Sequence, residues 1–552
     1  MASTFHTVRR TAGKAAAAAA VAALLLSGCG AGSGTEAAGT GSGERVEGGT
    51  IRYAHLQEAP CIYGGWVQQA YLSRQVLDSL VSQTEDGSIV PWLAEQWSVS
   101  EDQLTWTFTL KENVAFTDGT PLDAAAVAAN FDYWVSGGNG TVAAYIGDYY
   151  ESASAVDATT LEVKLSAPYA PLLSALSQGY FGIQSPRALT GRSEQENCEA
   201  PVGSGPFTVG EWKRGESVTF HKNPDYASAP ANARHQGPAY VDSIVWSFIQ
   251  DNTSRFGSLA SGETDVIGEV PTVDFETAKA AFSVQQYITP GRPVTLSLNT
   301  VNGPFTDTAV RQAFAYSADR RAVVDSAFLG VVPFEGNGTV SQSTPGYNPD
   351  VADDYPYDQD KANALLDGAG WGERNADGVR VKDGQELEID IVFGLNSIVT
   401  AEGATALQNL QAQVKPVGFK VNLVPATQAD LFGGTYSGPE SYDAQLGYWT
   451  SPTAGILHIN FRQNLPESPN YSNTTFYNNP EIEDLILRAN SAATPEEANS
   501  FYARAQQRLS DEAVAVGLYT QTASIAAAPN LQDVWLEASQ GEPVFHDAYF
   551  TK

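Results

Sequence analysis

The chain has 552 residues, with 63 acidic against 31 basic side chains, 43% hydrophobic residues and three cysteines. That length carries two or three domains with sizeable cores, so it is not a small scaffold stapled by disulfides. A formal charge of −32 argues against nucleic acid or an anionic lipid surface as partner, since approach to either begins with repulsion.

In chain order, the first 28 residues hold Arg9, Arg10 and Lys14 and no acid, followed by an apolar run from Ala15 to Leu26. This is the charged-then-apolar order of an export signal, and the run is shorter than the about 20 residues of a spanning helix. Cys29 follows Leu26, Ser27 and Gly28, and LSGC resembles a bacterial lipoprotein box. By that resemblance residues 1–28 are a lipoprotein signal peptide and Cys29 takes a lipid that anchors the exported chain to the outer face of the cell membrane. Arg9-Arg10 leaves the general and twin-arginine export routes both open. Removing three basic residues takes the formal charge from −32 to −35. Residues 29–49, rich in Gly, Ser, Thr, Ala and Glu, read as a lipidated flexible tether. Cys61 and Cys198 either form one disulfide or remain two buried thiols, and no CxxC or ligand-spaced Cys/His pattern points to a metal centre.

Beyond the tether the apolar period changes repeatedly, which predicts a mixed α/β protein. Leu104, Trp106, Phe108 and Leu110 alternate with threonines, the period of a half-buried strand. Asp118-Gly119 turns the chain, and Asp123 is placed to cap a helix running to Trp134. Leu161, Val163 and Leu165 repeat the strand period. A helix is predicted from about Asp307 through Val310, Phe314, Tyr316 and Val323, and another over Asp360 to Ala369. Leu387 to Phe393 and Gly418 to Val424 read as strands. Ile482, Leu485 and Ile486 keep helical spacing, and Pro495 before two glutamates starts a last long helix.

No sequence motif points to covalent chemistry. The histidines at 55, 221, 235, 458 and 546 form neither HExxH nor another compact zinc pattern, and no GxxxxGK[ST] or post-strand GxGxxG loop is present. Ser204 lies in Gly203-Ser204-Gly205-Pro206, but Val202 breaks the GxSxG frame, so this reads as a glycine-rich crossing where side chains must be small. Carboxylate pairs at glycosidase separation occur by chance among so many acids. The stronger local feature is aromatic: YDAQLGYWTSP, from Tyr442 to Pro452, offers rigid apolar surface with polar handles, as a binding cleft needs.

These segments are similar to one family. VLDSLVSQTEDGSIVPWLA from Val76 to Ala94, then Glu95-Gln96-Trp97 and LTWTFTLKENVAFTDG from Leu104 to Gly119, resemble the signature region of the family 5 solute-binding proteins of ABC importers. That family includes oligopeptide, dipeptide and nickel binders. The resemblance continues in PVGSGPFTVGEWKRG from Pro201, KNPDY from Lys222, NGPFTDTAVRQAFAYSADR from Asn302 and YPYDQDKANALLDGAGW from Tyr355.

It implies a two-lobed α/β periplasmic-binding-protein-like clamp of the type II (cluster C) class, with an extra domain in the first lobe. Domain I would use residues 50–95, 207–290 and 511–552, domain II residues 96–206, and domain III, the second lobe, residues 291–510. The chain would act without covalent chemistry or cofactor, as a monomer that closes on a solute and delivers it to an ABC permease pair powered by a separate ATPase. A peptide is the first expectation, because a peptide backbone can be held while its side chains sit in hydrated pockets. A glycan, siderophore or metal chelate, a nutrient-sensing role, and a secreted hydrolase are the alternatives.

One departure stands out. Peptide-binding relatives commonly carry an Asp shortly after the Trp that matches Trp449, where it receives the peptide's ammonium group. Here no acid follows until Glu467. A buried ammonium without a carboxylate is costly, so another acid, Glu58 or Asp443, is expected to serve, or the solute differs. The expected ligand-contacting residues are Tyr448, Trp449 and Ser451, with Glu58 and Tyr180.

Overall fold

The computed structural model describes residues 43–63, 67–138 and 140–552; Cys29 and the expected signal peptide lie outside the described residues. The expected tether ends before residue 49, because Arg45–Val46 already pairs as a strand with Phe550 and Thr551 and the Arg45 guanidinium lies 4.1 Å from the Tyr240 ring centroid.

Three larger sheets organise a mixed α/β fold. A seven-stranded sheet runs, in spatial order, Ser283–Ile288, Thr522–Ala527, Val266–Gly268, Thr50–His55, Ser243–Phe248, Ser217–Lys222 and Phe207–Lys213. A five-stranded sheet runs Lys420–Ala426, Glu388–Gly394, Ala444–Thr450, Gly291–Leu298 and Ala515–Tyr519. A four-stranded antiparallel sheet is built from Ala94–Val99, Thr105–Leu110, Thr160–Leu165 and Tyr150–Ala155. Its second strand follows the predicted alternation: Trp106, Phe108 and Leu110 are buried, and the threonines between them face outward. The Asp123 carboxylate caps the helix Ala124–Tyr133 by accepting from the Ala126 amide.

The single helix predicted from Asp307 to Val323 is two helices, Thr308–Tyr316 and Arg320–Phe328. Ser317 turns its hydroxyl back onto the Ala313 carbonyl at 2.6 Å, and Asp319 caps the second helix through the Ala322 amide at 3.0 Å. Both are local side-chain bonds that compete with helix continuation.

The seven- and five-stranded sheets are joined by two short crossings that lie side by side. Thr289–Pro290 links Ser283–Ile288 to Gly291–Leu298, and Thr520–Gln521 links Ala515–Tyr519 to Thr522–Ala527. The Thr289 amide donates to the Gln521 carbonyl at 2.9 Å, tying one crossing to the other. The second crossing therefore lies at 520–521, whereas the expected boundary at 510/511 falls inside the helix Pro495–Asp511. Ala515–Tyr519 belongs to the five-stranded sheet because it pairs with Gly291–Leu298. The expected 96–206 unit is not closed on itself either. One apolar cluster joins its sheet to the helices Pro480–Asn490 and Pro495–Asp511, and Asn490 donates to the Tyr149 hydroxyl at 2.7 Å.

Cys61 and Cys198 form a disulfide. Gly203 and Gly205 fulfil the small-residue expectation: a Cβ on either would lie 2.1 or 2.5 Å from the Val76 carbonyl oxygen. Among the described residues no helix is long and apolar enough to cross a membrane.

Candidate binding cleft

The strand Ala444–Thr450 sits at the middle of the five-stranded sheet and ends where the two crossings pass. Side chains alternate along a strand, so the neighbouring aromatics Tyr448 and Trp449 serve opposite faces.

On one face the Trp449 indole N–H donates to the Tyr145 hydroxyl at 3.2 Å, and that hydroxyl donates to the Thr450 carbonyl. The Thr450 hydroxyl lies 3.0 Å from the Tyr180 hydroxyl and accepts from the Gln540 amide at 3.1 Å, while Gln540 accepts from the Gly179 amide at 2.9 Å. Thr450 thus gathers the end of the second lobe's central strand, the helix Gly140–Ile146, the turn at Tyr180 and the 537–542 segment. Trp449 and Tyr180 are brought together by this junction. Thr450, Tyr145 and Gln540 were missed at the sequence level, where nothing distinguishes them beyond the position of Thr450 after Trp449.

On the other face Tyr448 lines a cavity of about 30 Å³ with His55, Tyr71, Glu269, Thr400 and Gln521. Glu269 also lines an adjoining cavity of about 60 Å³ with Arg255, Asn252, Glu402 and Thr520. Both cavities lie between the seven- and five-stranded sheets, and the Asn252 amide donates across them to Glu402 at 3.0 Å. Burial pushes the Glu269 carboxyl up to about 7, against the pull of Arg255 and with a further push from Glu402. Among the described residues its carboxylate has no hydrogen bond or ion pair. Its backbone is left-handed, with φ at 51°, an unfavourable state for a non-glycine residue. The Arg255 guanidinium on its carbonyl at 2.7 Å and the Ser524 carbonyl on its amide at 2.8 Å hold it there. Burial lowers His55 to about 4, so the ring facing this cavity is neutral at physiological pH. Burial likewise raises the Tyr71 and Tyr448 hydroxyls, which stay protonated.

The remaining expected residues also make structural contacts. Ser451 is a buried turn residue, its amide donating to the Pro290 carbonyl at 2.9 Å and its hydroxyl to Thr453 at 3.0 Å. The Glu58 carboxylate accepts from the Trp212 indole and the Gly215 amide, each at 2.9 Å, with Arg214 at 3.8 Å, and fastens the hairpin between the last two strands of the seven-stranded sheet. Asp443 accepts from the Asp390 amide at 2.9 Å and secures strand pairing. Glu269 and Glu402 line the two cavities beside Tyr448, and Glu58 lines a larger one of about 510 Å³ with Gln250, Asn396 and Thr427.

A His/Asp grouping unseen in the sequence does form away from the cleft. His235 and His546 stack at 4.0 Å with both Nδ1 atoms near the Asp547 carboxylate, at 2.9 and 3.1 Å. Asp547 already accepts from the Trp535 indole at 2.8 Å and the Arg234 amide at 3.2 Å, and the parallel rings aim their in-plane lone pairs side by side. This is a hydrogen-bonded clasp on the C-terminal segment.

The family model for bacterial extracellular solute-binding proteins, family 5 Middle, matches residues 88–481. The nickel-binding periplasmic protein of Escherichia coli strain K12 is 29% identical over 372 residues, 66% of this chain and 68% of the relative. The glutathione-binding protein GsiB of Shigella dysenteriae serotype 1 is 27% identical over 471 residues, covering 81% and 84%. Among solved structures, NikA from Brucella suis in complex with Fe(III)-EDTA aligns with a TM-score of 0.78 at 24% identity, covering 91% of this chain and all of that one. The oligopeptide-binding protein AppA from Bacillus subtilis, in complex with a nonapeptide, aligns at 0.78 and 20% identity, covering 92% of this chain and all of that one. Those folds and the paired crossings identify a two-lobed clamp, and the chain belongs to the family 5 bacterial extracellular solute-binding proteins.

Proposed function

We propose that this chain is the lipid-anchored receptor of an ABC importer and that it closes its two lobes on a short peptide, which it hands to a permease pair. The lobes would rotate about the two crossings, Thr289–Pro290 and Thr520–Gln521, with residues 291–519 moving as the second lobe. Closure would be the working step, with no bond made or broken in the solute. Cys29 would carry the lipid, and the chain would act as a monomer.

The observation that carries the peptide reading is Glu269. A carboxylate held in a left-handed backbone, unpaired, between the lobes and beside Tyr71 and Tyr448, supplies the acid that the segment after Trp449 lacks. An ammonium group seated there would be paired instead of stranded. The names of the relatives, which include glutathione and peptide binders, support the same solute class.

The test is thermal melting of the ligand-free protein against di- to pentapeptides, with Ni(II)–histidine as a separate arm. A ligand selective for the native state raises the midpoint, by the equivalent of about 2.7 kcal/mol at a hundredfold excess over Kd. Peptides that shift the wild type but not the Glu269→Gln variant support the reading. No shift with any peptide, or a shift with the nickel chelate alone, sinks it.

A further inference from the structure

Among the described residues six arginines are buried: Arg74, Arg255, Arg292, Arg311, Arg320 and Arg380. Five have hydrogen-bond partners on their guanidinium groups, as buried cations need, although the Nε of Arg74 has none and only its terminal nitrogens bond, to Ser79 and the Ser177 carbonyl. Arg255, for example, donates to four backbone carbonyls and Asn252, and Arg320 to three carbonyls and Asn337. Arg292 is the exception. It is 8% exposed, its Nε has no partner, and among the described residues its guanidinium makes no hydrogen bond, ion pair or ring contact.

The sheet register says where it points. Arg292 pairs directly with Trp449, and Thr295 with Gly447, across neighbouring antiparallel strands. Residues opposite each other share a face, so Arg292, Thr295, Gly447 and Trp449 line one side of the sheet. The guanidinium lies over Gly447, where a Cβ would meet its Nη2 at 2.8 Å. The Thr295 hydroxyl is also buried without a partner. So are both amide atoms of Asn460, on the helix Ile456–Phe461 that packs against the Arg292 strand. The Arg292 guanidinium and the Thr295 hydroxyl thus share the Trp449 face, Asn460 stands on a helix packed against the same strand, and among the described residues none of these groups has a partner.

Leaving a guanidinium buried and unpaired costs more than leaving it in water. Burial lowers its pKa to about 10, which still leaves it charged at neutral pH. A fixed positive charge beside an aromatic wall, with hydroxyl and amide groups to complete the coordination, suits a planar anion that can take two parallel N–H bonds.

We propose that Arg292 is the anion anchor of the binding site and receives a carboxylate carried by the solute, with Trp449 flanking it and Thr295 and Asn460 completing its hydrogen bonds. The proposal rests on the reading that the chain binds a solute between its lobes, and it narrows that solute to one bearing a carboxylate. Glu269, across the strand on the Tyr448 face, would take the opposite charge, so the two faces of one strand end would read the two charges of a zwitterion.

The test uses matched pairs in which only the carboxylate changes. Peptides and simple organic acids are compared with their C-terminal or acid amides by calorimetry on the wild-type chain, then on Arg292→Gln and Arg292→Lys. We expect the acids to bind the wild type at least about 30-fold more tightly than their amides, and Arg292→Gln to abolish that preference. Ligand-free Arg292→Gln should melt no lower than the wild type, because it removes an unpaired buried charge; a residue that merely supported the fold would lower it. Equal affinity for acids and amides overturns the inference even if neither variant folds, since that comparison needs only the wild type. If organic acids bind and peptides do not, the peptide reading falls and the anchor stands; if no carboxylate compound binds, the anchor falls.

Discussion

Glu269 makes the cleft sensitive to pH, and the sign is fixed by the direction of its shift. Its carboxyl titrates at about 7 in the folded chain against 4.5 for the unperturbed group, with burial as the largest cause. A raised carboxyl pKa means that the unfolded chain loses its proton first. Stability contributed by the protonated group is therefore intact below about pH 4.5 and is lost as pH climbs through about 7. At about 1.4 kcal/mol per pKa unit the ceiling is about 3 kcal/mol, and the half-buried state of the side chain discounts it to about 2 kcal/mol. Glu269→Gln carries no charge at any pH. Urea unfolding of the wild type and the variant at intervals from pH 5 to pH 8 should show the wild type losing about 2 kcal/mol relative to the variant, and the variant more stable at pH 8. Binding should run the other way. An ammonium-bearing solute needs the ionised carboxylate, which is about a tenth populated at pH 6 and about nine-tenths at pH 8, so affinity should fall about tenfold on acidification. Parallel stability curves for the two proteins, or affinity unchanged between pH 6 and pH 8, would refute the assignment.

Other outcomes follow from particular contacts. Thr450→Val removes the hydroxyl that meets Tyr180 and Gln540; it should cost about 1–3 kcal/mol in urea unfolding, and a cost near zero would show that the junction adds nothing. Gly291→Ala places a Cβ 2.1 Å from the Trp449 carbonyl oxygen at a φ of 122°, whereas Gly119→Ala, at 80°, meets nothing. The first should cost more than about 2 kcal/mol and the second about 1 kcal/mol, and equal thermal midpoints would deny that close backbone approach matters at the crossing. Reducing the Cys61–Cys198 disulfide, whose cysteines are 137 apart in sequence, should lower the melting midpoint. Loop-entropy arithmetic sets the loss at up to about 5 kcal/mol, and an unchanged midpoint under reductant rejects it.

The parts of this molecule that could be read from its sequence are those where one residue's environment is set by its near neighbours. The threonine alternation from Leu104 to Leu110 and the Asp123 cap are of that kind, and both hold. The helix expected through Val323 failed for a local reason too, since Ser317 and Asp319 are residues whose short polar side chains close or open a helix, and apolar spacing alone does not weigh them. The cleft is different. Tyr448 and Trp449 look like a pair in sequence, yet strand geometry sends them to opposite faces, so Tyr448 lines a cavity while Trp449 joins Tyr145 at the junction. Glu58 also accepts from a hairpin more than 150 residues away, a contact that its neighbours in sequence do not announce. Glu269 and Arg292 carry no local signature, one among 63 acidic and one among 31 basic residues. What marks them is that the folded chain brings each at least partly out of solvent with no partner among the described residues, and that is a property of the tertiary structure alone. On the proposed reading a receptor leaves such groups unsatisfied until its solute arrives, which would make them the least predictable from sequence and the most informative once the fold is known.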